Sequence, residues 1–458
     1  MSSMARRSFL LRTGGAGLGL AFTGSLSQVL SAPAGALPLH GGPARRVGYG
    51  PLVSDPDGIV DLPAGFRYRV FSRTGDDLLD DGRPVPAAHD GMAAFPAERR
   101  RTYLVRNHEI DPEAVEEDGV APVPQVPGHT YDPNGPGGTT TLVVGSDRRL
   151  LSHRVSLAGT AANCAGGPTP WGTWLTCEET DEVIDGVKHG YVFEVDPQRG
   201  GDPRPLTALG RFEHEAVSFD DKGRAYLTED ADGPHGYFYR FEPRQPHGHG
   251  RRDRDRGASL RAGGELSALL VPALGDADLS SVTEAGTEFR HVRWVPITVP
   301  DPDEGDTIRE LHTATRIPKC EGTWAADGCI WWVSSRGDGP DAEEEGERSD
   351  GVHGGQIWCY DPQRSTLRLV VRFEQDHDFE GPDNITVSPF GYAVMCTDGE
   401  DDDQFMAGIT PGGRTFPLAY NRLSNQEFAG ACFSPDRSTL FANIQEPGLT
   451  LAIWGPWR

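Results

Sequence analysis

Short hydrophobic segments with a period of two residues recur along the chain. One pattern begins with Gly, alternates aromatic and other side chains, and ends in an acidic residue and Pro; its copies span residues 190–197, 236–243 and 355–362. This period predicts β-strands, and the Pro predicts a turn after each of them. The first two copies start 46 residues apart, close to the length of one four-stranded blade of a β-propeller. The spacing therefore favours a propeller.

A second pattern lies between the copies of the first. A Gly or Asp turn precedes a hydrophobic strand that ends in a polar or acidic cluster, and the copies span residues 172–179, 223–232, 328–338, 391–398 and 436–445. Five such strands predict at least five blades. Because the innermost strands of a propeller run together along its central channel, we expect these strand ends to converge on one opening as a ring of ligands. Helical periodicity is scarce, and we predict an all-β fold with a single domain over residues 45–458.

Three polar segments are expected to be loops within this domain. Residues 247–257 are rich in His, Gly, Arg and Asp, and residues 341–350 and 400–403 are acidic. Such compositions cannot bury enough apolar surface to pack, so we interpret them as solvated connections between strands or blades.

The N-terminus has the pattern of an export signal. Arg6 and Arg7 open a twin-arginine motif, a Gly-rich apolar run follows over residues 14–30, and residues 34–36 form an Ala-x-Ala cleavage site. We predict that residues 1–36 are a signal peptide and that the Tat export machinery delivers the folded protein to the periplasm or the extracellular space. A stable membrane anchor is not expected, because the apolar run is short and no other segment is a transmembrane candidate. A metal that must be loaded before export is a common reason to use this route.

Charge and cysteine content narrow the classes of function. The chain carries 68 acidic and 43 basic residues, a formal net charge of −25, so we expect no nucleic acid partner. An acidic protein of this kind either solvates itself or gathers carboxylates around hard cations such as calcium. The seven cysteines include no close Cys-x-x-Cys pair, so a zinc ribbon is not supported. Cys164 with Cys177, or Cys320 with Cys329, are the candidate disulfides, and at least one thiol should remain free.

The densest candidate site spans residues 163–180. It places Cys164, a Gly-Gly turn, two tryptophans and the carboxylate pair Glu178 and Glu179 within eighteen positions. A thiol beside carboxylates suits a metal centre in which soft and hard ligands meet. The alternative is a buried structural Cys beside an ordinary turn. If the segment is a site, Cys164 and Glu179 are its predicted ligands.

Companion motifs place further ionisable groups at strand boundaries. They lie within residues 106–109, 211–215, 319–324, 381–384 and 427–430, and the groups we single out are Glu109, His214, Glu215, Lys319, Glu321 and Asp383. Lys319 and Glu321 are two residues apart along a predicted strand and therefore share a face, where an ammonium suits an anionic substrate oxygen. Taken singly, each motif also fits a salt-bridged structural corner.

Behind a twin-arginine signal and in this order, the motifs resemble those of the PhoX-type alkaline phosphatase family. The segments that carry the resemblance are residues 163–179, 211–215, 319–324, 381–384 and 427–445. The resemblance covers most of the chain after residue 50. It implies a six-bladed β-propeller with a pair of ferric ions and several calcium ions at the mouth of the central channel. The implied reaction is the hydrolysis of phosphate esters at alkaline pH, by a protein that we expect to be a monomer.

The resemblance also assigns roles to residues. Cys164 is the implied thiolate ligand of iron, Asp383 is a calcium candidate, and the implied carboxylate ligands shared by iron and calcium are Glu109, Glu179, Glu215 and Glu321. Lys319 is expected to hold the phosphoryl group, and His214 or His108 to orient a ligand or bind substrate. The larger phosphatases have a guanidinium where this chain has Lys319, and an ammonium keeps the charge but loses planar recognition.

Two other classes of function remain open. A calcium-dependent lactonase-like propeller hydrolase also uses Glu, Asn and Asp at a channel mouth, but it has no use for a thiolate ligand, so Cys164 discriminates. A non-catalytic secreted metal-binding propeller would show neither iron-thiolate absorption nor ester hydrolysis. Hydrolysis of a phosphate ester places growing charge on the leaving oxygen, which an acidic protein stabilises only through cations. A Gly-x-Ser-x-Gly motif that would supply a serine nucleophile is absent from the sequence.

Overall fold

Antiparallel β-strands form nearly all of the regular structure. The computed structural model describes residues 47–231, 235–245, 258–302, 313–337, 353–374, 377–399 and 403–458. The predicted signal peptide over residues 1–36, the loops at 247–257 and 341–350, and residues 400–402 of the acidic run lie outside the described residues. Within the described ranges the α-helices are short, α1 (Pro112–Glu116) and α2 (Ala258–Arg261). None of the described helices has the length and apolar character needed to span a bilayer.

The strands fall into six large sheets, numbered here as blades 1 to 6. Three strands come first in the chain, β1 (Leu52–Val53), β2 (Val60–Pro63) and β3 (Arg67–Arg73). The next strands supply blades 1 and 2 and a small hairpin: β4 (His89–Ala97), β5 (Arg101–His108), β6 (Gly137–Val144), β7 (Leu150–Thr160), β8 (Asn163–Pro168), β9 (Trp174–Glu178), β10 (Val183–Ile184), β11 (Val187–Lys188), β12 (Val192–Asp196) and β13 (Gly200–Gly201).

The remaining strands supply blades 3 to 6. Blades 3 and 4 use β14 (His214–Phe219), β15 (Ala225–Glu229), β16 (Phe238–Pro243), β17 (Gly264–Leu270), β18 (Glu288–Arg290), β19 (Arg293–Pro296), β20 (Cys320–Ala326), β21 (Cys329–Ser334), β22 (Gln356–Asp361) and β23 (Thr366–Arg372). Blades 5 and 6 use β24 (Pro382–Val387), β25 (Ala393–Thr397), β26 (Phe405–Ile409), β27 (Thr415–Asn421), β28 (Phe428–Phe433), β29 (Leu440–Ile444) and β30 (Leu449–Trp454).

Within each blade, successive strands pair outward from the centre. The orders are β4-β5-β6-β7, β8-β9-β12-β13, β14-β15-β16-β17-β19, β20-β21-β22-β23-β18, β24-β25-β26-β27-β2-β1 and β28-β29-β30-β3. The first strands of neighbouring blades contact one another, β28 with β4, β4 with β8, and so on around to β24 with β28. These contacts close a ring, and the prediction of an all-β, six-bladed propeller is confirmed.

Blade 6 closes the ring with strands from both ends of the propeller. Its first three strands come from the C-terminal part of the chain, and its outer strand is β3, which pairs antiparallel to β30 from Arg67 opposite Trp454 to Arg73 opposite Leu449. We therefore call blade 6 the closing blade.

Aromatic side chains fill the space between blades. At the contact of blades 3 and 4, the ring centroids of Phe238 and Trp332 lie 4.2 Å apart, and Trp358 continues the stack 6.3 Å from Trp332. Phe238 and Trp358 belong to two of the aromatic segments recognised in the sequence, which are the third strands of their blades. The period of two therefore reports a strand that buries its aromatic rings between two sheets.

The strands predicted to be innermost are instead the second strands of their blades. The second sequence pattern corresponds to β9, β15, β21, β25 and β29, and the inner strands are the segments just before them. The inner strands lack a hydrophobic alternation because they pack almost backbone to backbone. A Cβ on Gly91 would lie 2.5 Å from Ala165 Cα, and one on Gly167 would lie 1.5 Å from the carbonyl oxygen of Val217. Because the residues at these contacts are small, the inner strands show no hydrophobic periodicity in the sequence.

Both disulfide pairings considered from the sequence are wrong. Cys329 on β21 pairs with Cys359 on the neighbouring β22, with 5.9 Å between their Cα atoms. Cys320 lies at the far end of the β20–β21 pair, opposite Ser334, whereas Cys329 lies opposite Ala326. Cys164 and Cys177 are both free and buried.

Candidate metal centre

A β-bulge interrupts the inner strand of every blade near its first residue. The register shifts between His89 and Met92, Asn163 and Gly166, His214 and Val217, Cys320 and Thr323, Pro382 and Ile385, and Ala429 and Cys432. Because a bulge re-aims side chains, each blade offers one residue at an equivalent place. In blades 1 to 5 the first bulged residues are Asp90, Cys164, Glu215, Glu321 and Asp383, and in the closing blade it is Gly430.

A second set of polar residues directly follows the second strand of each blade. In blade order these are Glu109, Glu179, Asp230, Ser335, Asp398 and Gln445. In every blade the backbone N–H of this residue donates to the carbonyl of the residue that leads into the inner strand, namely Ala88, Ala162, Glu213, Lys319, Gly381 and Glu427. This shared hydrogen bond holds the end of the second strand against the bulge. The strand ends therefore converge, as the sequence suggested, although their strands are not the innermost ones.

The two sets bring potential ligand atoms together in three overlapping groups. The groups are Asp90 with Glu109 and Cys164, Cys164 with Glu179 and Glu215, and Glu215 with Glu321 and Asp383, each with ligand atoms within 4.8 Å of one another. Since Cys164 and Glu215 are shared, the groups form one continuous set of seven residues across blades 1 to 5, which we call the acidic arc. The structure thus brings together all six residues that the sequence analysis assigned to metal.

Asp90 is the member of the acidic arc that sequence reasoning missed. It lies in β4, ahead of a run of small residues that shows no clear alternation. A usable signal was present, because Asp90, Cys164, Glu215 and Glu321 are each followed by Gly or Ala. That small residue is the second position of the bulge, where neighbouring inner strands approach closely.

Glu427 was noted only as part of the closing blade, and it forms a hydrogen bond with Asp383.

The acidic arc concentrates negative charge in a buried place. Burial, and then the charges of Asp383 and Glu321, raise the pKa of Glu215 well above its usual range. Burial, with the charge of Asp398 contributing, raises the pKa of Asp383 to about 6. Burial also raises the pKa of the Cys164 thiol, and the nearby carboxylates raise it further. Ionisation of this set therefore requires positive charge within it.

The arc has the donor set that iron and calcium need. Both carboxylate oxygens of Glu215 and Oδ1 of Asp90 are buried and accept no hydrogen bond from an N–H or O–H group among the described residues, and the thiol that contacts Glu215 is that of Cys164. Desolvated carboxylate oxygens without donors are costly unless a cation binds them. One thiol among hard oxygen ligands adds affinity for a transition metal, and coordination deprotonates a thiol despite its raised pKa. The residues present therefore fit a centre of mixed iron and calcium.

Lys319 lies at the edge of the arc in blade 4. Its Nζ contacts Oδ2 of Asp230 and lies 3.8 Å from Oε1 of Glu321, and its side chain is 14% exposed. Ser335 Oγ donates to the same Glu321 oxygen at 2.7 Å. The ammonium is thus held beside the carboxylates of blades 3 and 4.

The two histidines considered as catalytic groups are not brought to the arc. The His214 ring stacks on Phe212 with centroids 3.6 Å apart, and its Nε2 lies 3.1 Å from the carbonyl oxygen of Gly210. Consecutive strand residues point to opposite faces, so His214 enters the core while Glu215 faces the arc. Burial lowers the pKa of His214 to about 3, which keeps it neutral. His108 lies against Thr140 Oγ1 at 2.9 Å and Ala87 O at 2.7 Å, beside Arg106.

A buried pair supports the blade 2 part of the arc. Glu178 Oε1 accepts from Ala161 N–H and lies 2.6 Å from His189 Nδ1, and Glu178 Oε2 accepts from Gly190 and Tyr191 N–H. His189 Nε2 lies 3.4 Å from Oδ2 of Asp132. Although burial alone would lower the pKa of His189, the charge of Glu178 and the hydrogen bonds to both carboxylates raise it. The pair fixes the segment before Cys164 and the residue before Glu179.

Comparison with known proteins gives a family and a fold. Residues 47–448 match the family described as alkaline phosphatase PhoX. The solved structure of PhoX from Pseudomonas fluorescens, in complex with vanadate as a transition state analogue, aligns with a TM-score of 0.66 at 20% identity and covers 87% of this chain and 96% of that chain. A gluconolactonase from Xanthomonas campestris aligns with a TM-score of 0.41 at 11% identity, covering 89% and 99%. No curated protein matches by sequence.

Proposed function

The chain belongs to the PhoX family of alkaline phosphatases and is a phosphoric ester hydrolase of that type, and from this premise we propose that the acidic arc is its active site. The observation that carries the proposal is the geometry of Cys164, whose thiol belongs to two of the three groups of ligand atoms. A thiol shared between carboxylate groups suits a site that binds a transition metal together with hard cations.

We assign the ligands by position in the arc. Cys164 would bind iron, with Asp90, Glu109, Glu179 and Glu215 around it, and Glu321 and Asp383 would hold calcium on the blade 4 and 5 side. A ferric pair with calcium is the cofactor set that we propose. When bound, these ions offset the charge of the phosphate ester and of the oxygens that attack and leave.

The chain's own groups orient the substrate and the ligands. Lys319 would donate to a non-bridging phosphate oxygen as a point charge, because its ammonium lies beside Glu321 of the arc and its side chain is partly exposed. Ser335 orients Glu321 through its hydrogen bond. The inner strands that carry the arc are largely buried, and the lower dielectric constant of a buried environment strengthens each of these interactions.

We propose export as well. The twin-arginine pattern and the predicted signal peptide over residues 1–36 support it, and the disulfide between Cys329 and Cys359 fits an oxidising compartment such as the periplasm or the extracellular space. Export of a folded protein through the Tat machinery would allow iron to be bound beforehand. A monomer with a small phosphate ester as substrate is the simplest form of the proposal.

The experiment that tests the function uses protein exported by its own signal. Elemental analysis should find iron with calcium, the visible spectrum should show a thiolate-to-iron band, and a chromogenic phosphate ester should be hydrolysed in a calcium-dependent way. Cys164→Ser should remove the band and most of the activity. Cys432→Ala is the matched control, since this buried thiol packs with Met92 and Leu104 in a hydrophobic cluster. Calcium without iron, or full activity in Cys164→Ser, would overturn the assignment of iron to Cys164.

A further inference from the structure

The closing blade has no acidic or thiol side chain at either of the two positions that build the arc, whereas each of the other five blades has at least one. Its bulge begins at Gly430, which has no side chain to offer, and its second strand is followed by Gln445. Blade 4 also has a neutral residue after its second strand, Ser335, and that hydroxyl donates to a carboxylate of the arc. The neutral positions therefore share a property, because both are hydrogen-bond donors to acidic side chains.

Gln445 joins two carboxylates of blade 1 with one amide nitrogen. Its Nε2 donates to Oδ2 of Asp90 at 2.9 Å and to Oε2 of Glu109 at 2.6 Å. An amide nitrogen carries two hydrogens, so one donor group serves both acceptors. Two carboxylates this close repel each other, and a shared donor fixes their spacing while leaving Asp90 Oδ1 free of hydrogen bonds.

Asn443 braces the backbone of the same ligand. Its Nδ2 donates to the carbonyl oxygen of Asp90 at 2.5 Å, and its Oδ1 accepts from Thr450 Oγ1 at 2.7 Å. Arg106 of blade 1 donates in turn to Thr450 Oγ1 at 2.6 Å. All four residues are buried, so the chain of hydrogen bonds is shielded from water.

The glycine at the bulge of the closing blade is explained by this brace. A Cβ on Gly430 would lie 2.6 Å from the Asp90 carbonyl oxygen and 2.8 Å from Asn443 Nδ2, and Gly430 has φ +61°. Its N–H donates at 2.8 Å to Oδ1 of Asn384, the residue after Asp383. At its bulge the closing blade therefore offers no ligand, and its backbone instead contacts the bulges of blade 1 and blade 5 closely.

We infer that Gln445 and Asn443 are positioning residues that hold Asp90 and Glu109 in the geometry for binding a cation together with Cys164. This inference rests on the proposed function, because it assumes that the arc binds cations. The closing blade thus acts as a brace for its neighbours' ligands. Loss of the shared donor lets the two carboxylates separate and weakens the first group of the arc.

The test compares Gln445→Met, which has similar length but no N–H, with Gln356→Met. Gln356 is equally buried, but its amide bonds to Val282 O and Trp358 Nε1 instead of the arc. Chelator-stripped proteins are titrated with Tb³⁺ by luminescence and with Ca²⁺ by calorimetry, and far-UV circular dichroism checks folding. We expect Gln445→Met to weaken at least one cation site by about 10- to 100-fold, the range for hydrogen bonds to charged groups. Gln356→Met should bind as the wild type does.

The outcomes of these titrations distinguish a failure of the positioning role of Gln445 from a failure of the proposed function. Equal cation affinity in Gln445→Met and wild type would overturn the brace, even if the wild-type protein carries iron. Weakened Tb³⁺ binding in a protein that carries no iron would uphold the brace and reject the iron-dependent function. If Gln445→Met fails to fold, Asn443→Ala is measured instead, and it should weaken the same site by a smaller factor. A wild-type protein that binds neither probe would overturn both proposals.

Discussion

The ammonium of Lys319 lies 3.8 Å from Oε1 of Glu321, and both residues belong to the same blade. Lys319 precedes the inner strand and has φ +51°, so its side chain departs from the strand's alternation and reaches the carboxylates of blades 3 and 4. The pair places a fixed positive charge at the edge of a set that is otherwise acidic.

Removal of the Lys319 charge should lower the catalytic efficiency more than it lowers the stability of the fold. Lys319→Met is expected to lower kcat/KM for a phosphate ester by about 10- to 100-fold, because a charge-assisted hydrogen bond to phosphate is lost. Lys319→Arg should stay within about tenfold of the wild type, since the charge is kept. Steady-state kinetics with one chromogenic ester measures both. Lys188→Met is the control, because that ammonium pairs with Asp301, which does not belong to the arc. Unchanged kinetics in Lys319→Met would exclude a substrate contact.

Removal of metal should reverse the pH dependence of stability. Burial raises the pKa of Asp383 to about 6, and burial with the charges of Asp383 and Glu321 raises the pKa of Glu215 well above its usual range. Between the unfolded and the folded pKa, the folded state binds more protons, so the stability of the metal-free protein rises as the pH falls. Thermal unfolding of chelated protein should give a higher Tm at pH 5 than at pH 7, because the stabilisation from protonated Asp383 is lost as the pH rises through about 6. A chelated protein that loses stability on acidification across this window would contradict the raised pKa values.

His189 should stabilise the fold more at low pH than at high pH. Its pKa is raised above 6.5 by Glu178 and Asp132, so its contribution is complete below the unfolded pKa and is lost as the pH rises through the folded pKa. His189→Leu should lower the free energy of unfolding by about 3–5 kcal/mol at pH 6, because Glu178 is left buried without its charged partner. Urea denaturation at pH 6 and pH 9 measures the difference. A loss that grows with pH would show that His189 is neutral in the fold.

The disulfide should contribute to stability but not to activity. Cys329 and Cys359 are 30 residues apart, and a loop of this length corresponds to about 3–4 kcal/mol in the chain-entropy account. The double variant Cys329→Ala, Cys359→Ala should unfold at lower urea concentration and keep its kcat/KM. Activity should be kept because Cys329 begins β21, whereas Ser335, which donates to Glu321 of the arc, follows the opposite end of that strand. A folded double variant with reduced activity would show that this strand transmits strain to the site.

The sequence predicted the outer parts of each blade better than the inner ones. Strands such as β16 and β22 bury aromatic side chains between the sheets of adjacent blades. Because successive side chains point to opposite faces, this burial produces a period of two in the sequence. The inner strands leave no such trace, since residues such as Gly91 and Gly167 are selected for close backbone approach.

The sequence analysis identified six of the seven residues of the acidic arc but none of the residues that support them. Cys164 and the glutamates were recognisable by residue type, and Asp90 was missed because it begins a strand that the sequence does not reveal. Gln445 and Asn443 contact Asp90 across more than 350 residues of chain, and such a contact depends on ring closure that no local pattern encodes. His214 was named from a motif in which only its neighbour Glu215 faces the arc.

The pairing of β3 with β30 sets an order of events during biosynthesis. Gln445 follows Asp90 by 355 residues, so the ribosome must translate blades 2 to 6 before the brace on Asp90 can form. A nascent chain that still lacks β30 cannot complete the closing blade. If the first group binds a cation as proposed, the braced form of that group becomes available only after β30 has been translated.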